Sequence, residues 1–383
     1  MKILQFLSFI SYLTAAQAAD HHDFSEPKEV VIITGSGNKD VQKNLSEAEF
    51  PKLKTSIMYP AAGLYQTSKD AKVKPKGIVI LFGGTGAKSK AFGIGASMSP
   101  LANKLLKMGY VPIAFQNPMY WRDERPDSER QSDVDYFGTT KAQTNWMYEA
   151  ISFVYDNIPN DLQHLRERLS IGSRSTGTAV FLEIVSAYYH DPTKFSLVSK
   201  VKSHLAMGPL SHKEPDLGKW IATEKNDILT DPESPPDWIV HAKDRPIFED
   251  MHYLVEKPLM FAVHHEAVPS IFFTVGALDE ISPPEDQWRM IKEFSHGHPN
   301  IPVEIDFLDT RHNPVGSVGY APDLSLPDKK IKVRTMERIS ALLPRFLSED
   351  TSSRKVGLTE NFSDGFWVAL KSKGVCSELL FSK

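Results

Sequence analysis

The stretch LSIGSRSTGTA, residues 169–179, decides the fold. Its first four residues predict a short buried strand, and residues 173–177, which are small apart from Arg174, predict a tight turn. Residues 176–189 (TGTAVFLEIVSAYY) then predict a helix that is apolar around much of its circumference. A serine on such a strand-to-helix turn, here Ser175, projects its hydroxyl away from the backbone, while the start of the helix offers amide donors.

The turn matches most of the G-x-S-x-G pattern of a serine nucleophile. Ser175 and Gly177 stand at the serine and at the second glycine, but Ser173 occupies the position of the first glycine. Ser173 as the nucleophile fits worse, because the pattern would then need glycine at Ile171 and Ser175. Serine-rich turns also commonly cap a helix, so capping is the alternative interpretation of Ser175.

Strand-like and helix-like segments alternate on both sides of this stretch. Such alternation predicts an α/β fold with a doubly wound, mostly parallel sheet, in one domain over residues 20–383. The predicted strands are 77–82 (GIVILF), 110–115, 169–172, 202–207, 270–275 (SIFFTV) and 303–308, with possible edge strands at 29–34 and 55–60; the predicted helices are 98–108, 140–157, 176–189, 284–294 and a last one at 332–347.

An acid and a histidine follow two later strands. Asp279 comes just after the strand at 270–275, and His312 comes just after the strand at 303–308. Because the carboxyl ends of parallel strands share one edge of a sheet, both side chains are expected at the edge that carries Ser175. The chain order of serine, acid and histidine is that of one class of serine hydrolases.

Each of these two residues has an alternative interpretation. Asp279 could be a turn or N-cap aspartate, and His312 could be a surface-loop histidine. Glu280 is the nearest rival acid, while Asp306 and Asp309 also lie close to the histidine in sequence.

Four short motifs resemble those of the α/β-hydrolase superfamily: GGTG at 83–86, SRSTG at 173–177, GALDEISPP at 276–284 and RHNPVG at 311–316. The resemblance covers about residues 77–347 apart from an insertion. It implies a catalytic triad in which His312 is the general base for Ser175 and Asp279 orients the imidazole. An oxyanion hole would use the N–H of Thr176 and a second N–H near Gly84 or Thr85.

A polar, proline-rich stretch at 209–268 interrupts the alternation of strands and helices and is predicted to be a lid inserted over the site. Its Trp220 and Trp238 are expected either to line a substrate pocket or to form the lid's own small core. Tyr120 and Trp121, which follow a strand at the predicted catalytic edge, are further expected pocket residues.

Residues 1–19 have the pattern of a secretory signal peptide: Lys2, an apolar run too short to cross a bilayer, and small residues up to Ala18 and Ala19. The prediction is cleavage after one of these alanines and a secreted or periplasmic protein without an integral membrane segment. Cys376 is the only cysteine, so an intramolecular disulfide is excluded.

Composition argues against several other functions. A net charge of -4 gives no overall attraction to nucleic acid. The run GGTGAKS at 83–89 lacks the glycine spacing of a phosphate-binding loop, and the histidine pairs lack the i, i+4 spacing of a zinc hydrolase, so neither a metal nor a cofactor is expected. No pattern in the sequence predicts the oligomeric state.

The sequence as a whole predicts an exported serine hydrolase that cleaves carboxylic ester bonds of a small-molecule acyl substrate through an acyl-enzyme intermediate. The same triad cleaves amides, so a serine peptidase or amidase is one alternative. The serine at 173 also leaves open a catalytically silent, hydrolase-like binding protein.

Overall fold

The computed structural model describes residues 28–33, 60–65, 67, 74–84, 99–115, 140–158, 160–209, 268–279, 282–311, 319–323, 326–333, 335–348, 350 and 354–372. The predicted signal peptide at 1–19 lies outside these residues. The predicted lid at 209–268 also lies outside them, except for its first and last residues. Both therefore stay predictions.

The described strands are β1 (Lys28–Ile33), β2 (Pro60–Tyr65), β3 (Gly77–Phe82), β4 (Tyr110–Phe115), β5 (Leu169–Arg174), β6 (Val201–Met207), β7 (Ser270–Gly276), β8 (Pro302–Leu308), β9 (Gly319–Asp323), β10 (Leu326–Val333) and β11 (Gly357–Phe362). Nine of them form one sheet in the order β1-β2-β4-β3-β5-β6-β7-β8-β11. The seven strands from β4 to β11 in that order run parallel. β1 and β2 extend one edge in antiparallel pairing, and β9 and β10 form a separate antiparallel pair.

Six α-helices are described: α1 (Ser99–Lys107), α2 (Thr140–Asp156), α3 (Thr176–His190), α4 (Pro284–Gly297), α5 (Thr335–Phe346) and α6 (Asp364–Ser372). Gly109, which the sequence predicts to end the first helix, stands two residues after Lys107, and its φ of 87° suits glycine at a helix C-terminus.

The sheet has a hydrophobic core on each of its faces. In β3, Ile78 and Ile80 belong to one core and Val79 and Leu81 to the other, which is the alternation expected of a strand covered on both sides. Helices α2, α3, α4 and α6 contribute to the first core, while α1 and α5 contribute to the second. The predicted α/β class with a doubly wound, mostly parallel sheet is confirmed.

The strand register brings four strand ends to one edge of this sheet. Arg174 of β5 pairs with Met207 of β6, which pairs with Thr274 of β7, which in turn pairs with Asp306 of β8. Since these strands are parallel, the segments that follow them all leave from the same edge.

The prediction for the C-terminal part of the chain was partly wrong. Residues 332 and 333 belong to β10, and α5 begins only at Thr335. This helix is also not the last element, because β11 pairs with β8 and α6 packs against the first core. β11 has the sequence GLTENF with exposed residues at its centre, so it lacks the apolar run that reveals a buried strand. The edge strand predicted at 55–60 lies outside the described residues except for Pro60, where β2 begins.

Candidate active site

Ser175 stands on a strained turn between β5 and α3. Its backbone has φ 53° and ψ −124°. Positive φ is uncommon for a residue with a Cβ, and these angles are close to those of the first central residue of a type II′ turn, where glycine is usual. The Ser175 N–H donates a hydrogen bond to the carbonyl of Met207 at 3.0 Å, which ties the turn to β6. A strained serine between a buried strand and a helix is the geometry of a nucleophile elbow.

Helix capping does not explain this serine. Ser175 occupies the N-cap position of α3, yet its side chain makes no capping hydrogen bond. A capping serine has a β-region backbone, and its hydroxyl accepts a hydrogen bond from one of the first helical N–H groups. Ser175 meets neither condition, so the capping alternative is wrong.

Two glycines let the backbone pack closely around the turn. A Cβ atom added at Gly84 would lie 2.6 Å from the Cβ of Ser175 and 3.2 Å from its hydroxyl oxygen. A Cβ added at Gly177 would lie 2.8 Å from the carbonyl oxygen of Gly83. The segment after β3 therefore lies directly against Ser175. This segment is the one predicted to supply the second oxyanion donor.

Thr176 is buried and is the first residue of α3. Its N–H is one of the helix's first four N–H groups, which have no acceptor within the helix. This position agrees with the predicted role as an oxyanion donor. Thr85, the alternative to Gly84, lies outside the described residues.

Ser173, the departure from the usual glycine, is fully buried. Its hydroxyl lies 3.0 Å from the hydroxyl of Thr178 and 2.5 Å from Nε2 of His204. The tight backbone contact on this strand falls one residue earlier: a Cβ added at Gly172 would lie 2.7 Å from a methyl carbon of Leu81. Serine therefore fits at 173 because its side chain has polar partners there.

Asp279 lies in the turn that follows β7 and is buried. Its Oδ1 accepts a hydrogen bond from the N–H of Ser282 at 2.9 Å, and its Oδ2 accepts one from Nε2 of Gln287 at 2.7 Å. The contact with Ser282 is the turn interaction that the alternative interpretation describes. A carboxylate oxygen has two lone pairs, so a carboxylate can accept from an imidazole N–H in addition to two donors of this kind.

The two described rival acids are held by arginines of α5. Asp306 accepts hydrogen bonds from Arg345 at 3.0 and 3.1 Å, and burial raises the pKa of Asp306 to about 6 in spite of this arginine. Asp309 forms an ion pair with Arg338 at 3.4 Å. These pairs favour Asp279 as the acid of the site. Glu280 lies outside the described residues.

The segments that lead to the predicted acid and histidine pack against each other. The Leu278 N–H donates to the carbonyl of Thr310 at 2.9 Å. A Cβ added at Gly276 would lie 2.4 Å from that same oxygen and 2.9 Å from the carbonyl oxygen of Arg311. The backbone just before His312 thus touches the backbone just before Asp279.

His312 itself lies outside the described residues, as do the predicted substrate-binding residues Tyr120, Trp121, Trp220 and Trp238. Their roles stay predictions. Ser175, Thr176, Gly84 and Asp279 are the predicted site residues whose positions the structure describes.

Three residues that form hydrogen bonds with Asp279 or Ser173 were not predicted from the sequence to have that role. The bond from Ser282 could have been anticipated, because aspartate side chains in turns commonly accept hydrogen bonds from the backbone N–H groups that follow them. Gln287 lies on α4 and reaches Asp279 only through the packing of that helix. His204, which stands in the strand predicted at 202–207, lies in the core and bonds Ser173, while its Nδ1 has no hydrogen-bond partner among the described residues.

No cluster of three or more histidine, cysteine, aspartate or glutamate side chains in the described part of the chain could hold a metal ion. Within the same residues, every helix is too short or too polar to cross a membrane.

Comparison with known proteins identified similar solved structures. No protein-family model matches the chain, and no curated protein matches it. A mutant of the esterase rPPE has 11% identity and a TM-score of 0.49, with 90% of this chain and 89% of that chain covered. The Pyrococcus furiosus esterase Pf2001 has 16% identity and a TM-score of 0.46, with 84% and 92% covered. A Rhizomucor miehei esterase has 13% identity and a TM-score of 0.45, with 87% and 88% covered.

At such identities and TM-scores, no activity is inferred from these structures. The assignment of the fold depends on the chain's own geometry: a doubly wound parallel sheet, a strained serine after β5 and a buried aspartate after β7 at the same edge. The chain has the α/β-hydrolase fold.

Proposed function

We propose that this protein is a serine hydrolase that cleaves carboxylic ester bonds of a small-molecule acyl substrate. Ser175 is the nucleophile, His312 the general base and Asp279 the acid that orients the histidine. The observation that carries the proposal is the backbone of Ser175, which is strained and makes no capping bond. Backbone strain of this kind persists only where the surroundings enforce it, and it concentrates at active sites.

The first half of the reaction forms an acyl-enzyme. The Ser175 hydroxyl oxygen attacks the ester carbonyl carbon while His312 takes the hydroxyl proton. The carbonyl oxygen becomes an oxyanion that accepts hydrogen bonds from the N–H groups of Thr176 and Gly84. The carbon–oxygen bond to the alcohol then breaks, and the imidazolium returns its proton to the departing alkoxide.

The second half releases the acid. A water molecule attacks the acyl carbon, and His312 takes one of its protons. The bond to the Ser175 oxygen breaks, and the proton passes back to that oxygen, so the enzyme is restored. Throughout, the carboxylate of Asp279 holds the imidazole in one tautomer and stabilises its positive charge. Ser282 and Gln287 fix this carboxylate by their hydrogen bonds.

Labelling with a fluorophosphonate tests the proposal, since this probe reacts only with activated serines. We expect the wild-type protein to be labelled on Ser175, identified by mass spectrometry of the modified peptide, and Ser175→Ala to remain unlabelled. Ser186→Ala is the matched control, because Ser186 is also a buried serine bonded to a histidine, His298 at 3.0 Å, but stands within a helix. Labelling of neither the wild type nor the control would identify a binding protein instead of an enzyme.

The bond that is cleaved is tested separately. Chromogenic esters of increasing acyl length and peptide anilides are assayed with the wild type and with Ser175→Ala. Hydrolysis of the esters that disappears in the variant is the expected result. Faster hydrolysis of the anilides than of the esters would assign the protein as a peptidase or amidase.

We also propose that the protein is exported and that residues 1–19 are removed. Support comes from the sequence pattern alone: one lysine, a short apolar run and small residues before the cleavage position. N-terminal sequencing of the protein secreted or released from the periplasm is expected to begin at Ala19 or Asp20. Recovery of the uncleaved chain in the membrane fraction would refute cleavage.

A further inference from the structure

Three polar side chains are buried together beneath the Ser175 turn. Ser173, Thr178 and His204 have no exposed surface. The Ser173 hydroxyl lies between the other two, 3.0 Å from the Thr178 hydroxyl and 2.5 Å from Nε2 of His204. These three residues, here called the elbow network, belong to three different elements: β5, α3 and β6.

The elbow network joins the elements that form the turn. Ser173 and Thr178 stand on either side of Ser175, and Thr178 also donates its backbone N–H to the carbonyl of Ser175 at 2.9 Å. The ring of His204 packs edge-on against Phe181 of α3, with ring centroids 4.6 Å apart. The strand before the serine, the helix after it and the neighbouring strand are therefore bonded to one another below the turn.

Burial determines which atoms donate in the elbow network. It lowers the pKa of His204 to about 3, so the ring is neutral and carries one N–H. Nδ1 has no hydrogen-bond partner among the described residues. A buried N–H without an acceptor is rarer than a buried acceptor without a donor, so we assign the hydrogen to Nε2. His204 then donates to Ser173, and Ser173 donates to Thr178, so both bonds have a defined direction.

We propose that the elbow network is a positioning device for the nucleophile, in which Ser173 replaces the usual glycine and holds the Ser175 hydroxyl and the Thr176 N–H in their reactive geometry. The proposal rests on the proposed function of Ser175. Ser173 and His204 are positioning residues, because they act on the reaction only through the turn above them. Loss of either bond would let the strained turn relax, and a displacement of about 1 Å in a catalytic group can lower the rate about 100-fold.

A matched control lies on the same two strands. The hydroxyls of Ser170 on β5 and Ser203 on β6 are 3.0 Å apart and buried, and Ser203 also bonds the carbonyl of Phe346. Ser170 lies three positions before Ser173, about 10 Å away along the strand. Ser170→Ala thus removes a buried serine bond between the same strands without touching the turn.

The test compares Ser173→Ala and Thr178→Val with Ser170→Ala and the wild type. Thr178→Val keeps the side-chain shape and removes the hydroxyl. His204→Gln keeps an N–H donor close to the position of Nε2, whereas His204→Leu removes it. The measurements are kcat and KM for a chromogenic ester and the rate constant of fluorophosphonate labelling, with urea unfolding at the same temperature to establish that each variant is folded.

If the elbow network positions the nucleophile, kcat and the labelling rate should fall about 10- to 100-fold in Ser173→Ala and Thr178→Val. KM should change less than about two-fold in both variants. Ser170→Ala should keep wild-type kcat, and His204→Gln should be more active than His204→Leu. Wild-type labelling rates in Ser173→Ala would overturn the inference and leave the proposed function intact. So would equal losses in Ser170→Ala and Ser173→Ala, because those would mean a general effect on stability. Absence of labelling in the wild type would overturn the proposed function and this inference with it.

Discussion

Replacement of His204 should make the protein less sensitive to acid. The His204 side chain has no exposed surface, and burial lowers its pKa from 6.5 to about 3. In the unfolded chain the same histidine binds a proton below pH 6.5, while in the folded protein it stays neutral until about pH 3. The stability linked to this residue is therefore complete above pH 6.5 and is lost progressively as the pH falls toward 3.

The size of the effect follows from the two pKa values. Between pH 7.5 and pH 5, proton binding to His204 in the unfolded chain lowers the free energy of unfolding by about 2 kcal/mol. This figure takes 1.36 kcal/mol for each pKa unit. This is a large part of the stability of an ordinary domain, which is about 5–15 kcal/mol. His204→Gln removes the titrating group and keeps a hydrogen-bond donor toward Ser173.

Urea unfolding at pH 7.5 and at pH 5.0 measures this effect. From pH 7.5 to pH 5.0 the free energy of unfolding should fall by about 2 kcal/mol more in the wild type than in His204→Gln. His164→Gln is the control, because His164 is exposed, and its free energy of unfolding should fall as much as that of the wild type. Equal losses in the wild type and in His204→Gln would refute the reasoning, since His204 would then titrate alike in both states.

Three further predictions concern the site itself. Ser175→Gly should abolish fluorophosphonate labelling and yet raise the free energy of unfolding by about 1 kcal/mol, because glycine adopts this backbone without strain. Gly84→Ala should lower the labelling rate at least about 100-fold, because the added Cβ would lie 2.6 Å from the Cβ of Ser175. Gly83→Ala should keep the wild-type rate, because a Cβ added there would have no atom within 4 Å. Gln287→Leu should lower kcat about 10-fold with little change in KM, because Asp279 loses its donor to Oδ2; an unchanged kcat would exclude a role for this bond.

Two of the buried parallel strands could be predicted because each is an almost continuous apolar run. GIVILF and SIFFTV, which became β3 and β7, are covered on both faces and therefore need no polar alternation. β11 could not be found in this way, since it is an edge strand with polar, half-exposed residues. The hairpin β9–β10 was missed for a similar reason: the lysines of LPDKKIKV interrupt any apolar pattern.

Site residues could be predicted where they follow directly from a strand end. Ser175 comes immediately after β5 and Asp279 three residues after the end of β7, and the parallel sheet brings those strand ends to one edge. Gln287 and His204 could not be assigned roles from sequence, because their contacts depend on how α4 packs beside β7 and on the register between β5 and β6. Contacts between side chains of separate elements can be identified only from a three-dimensional structure.

The backbone of Ser175 also bears on the choice between an enzyme and a silent binding protein. A glycine at this position would relieve strain of about 1–3 kcal/mol. A serine in a capping conformation would stabilise α3 by about 1 kcal/mol. Ser175 does neither; Gly84 packs closely against it, and we propose that the bonds of Ser173 hold it in this less stable geometry. A binding protein gains nothing from this arrangement, whereas a nucleophile needs its hydroxyl directed away from the helix and toward a substrate.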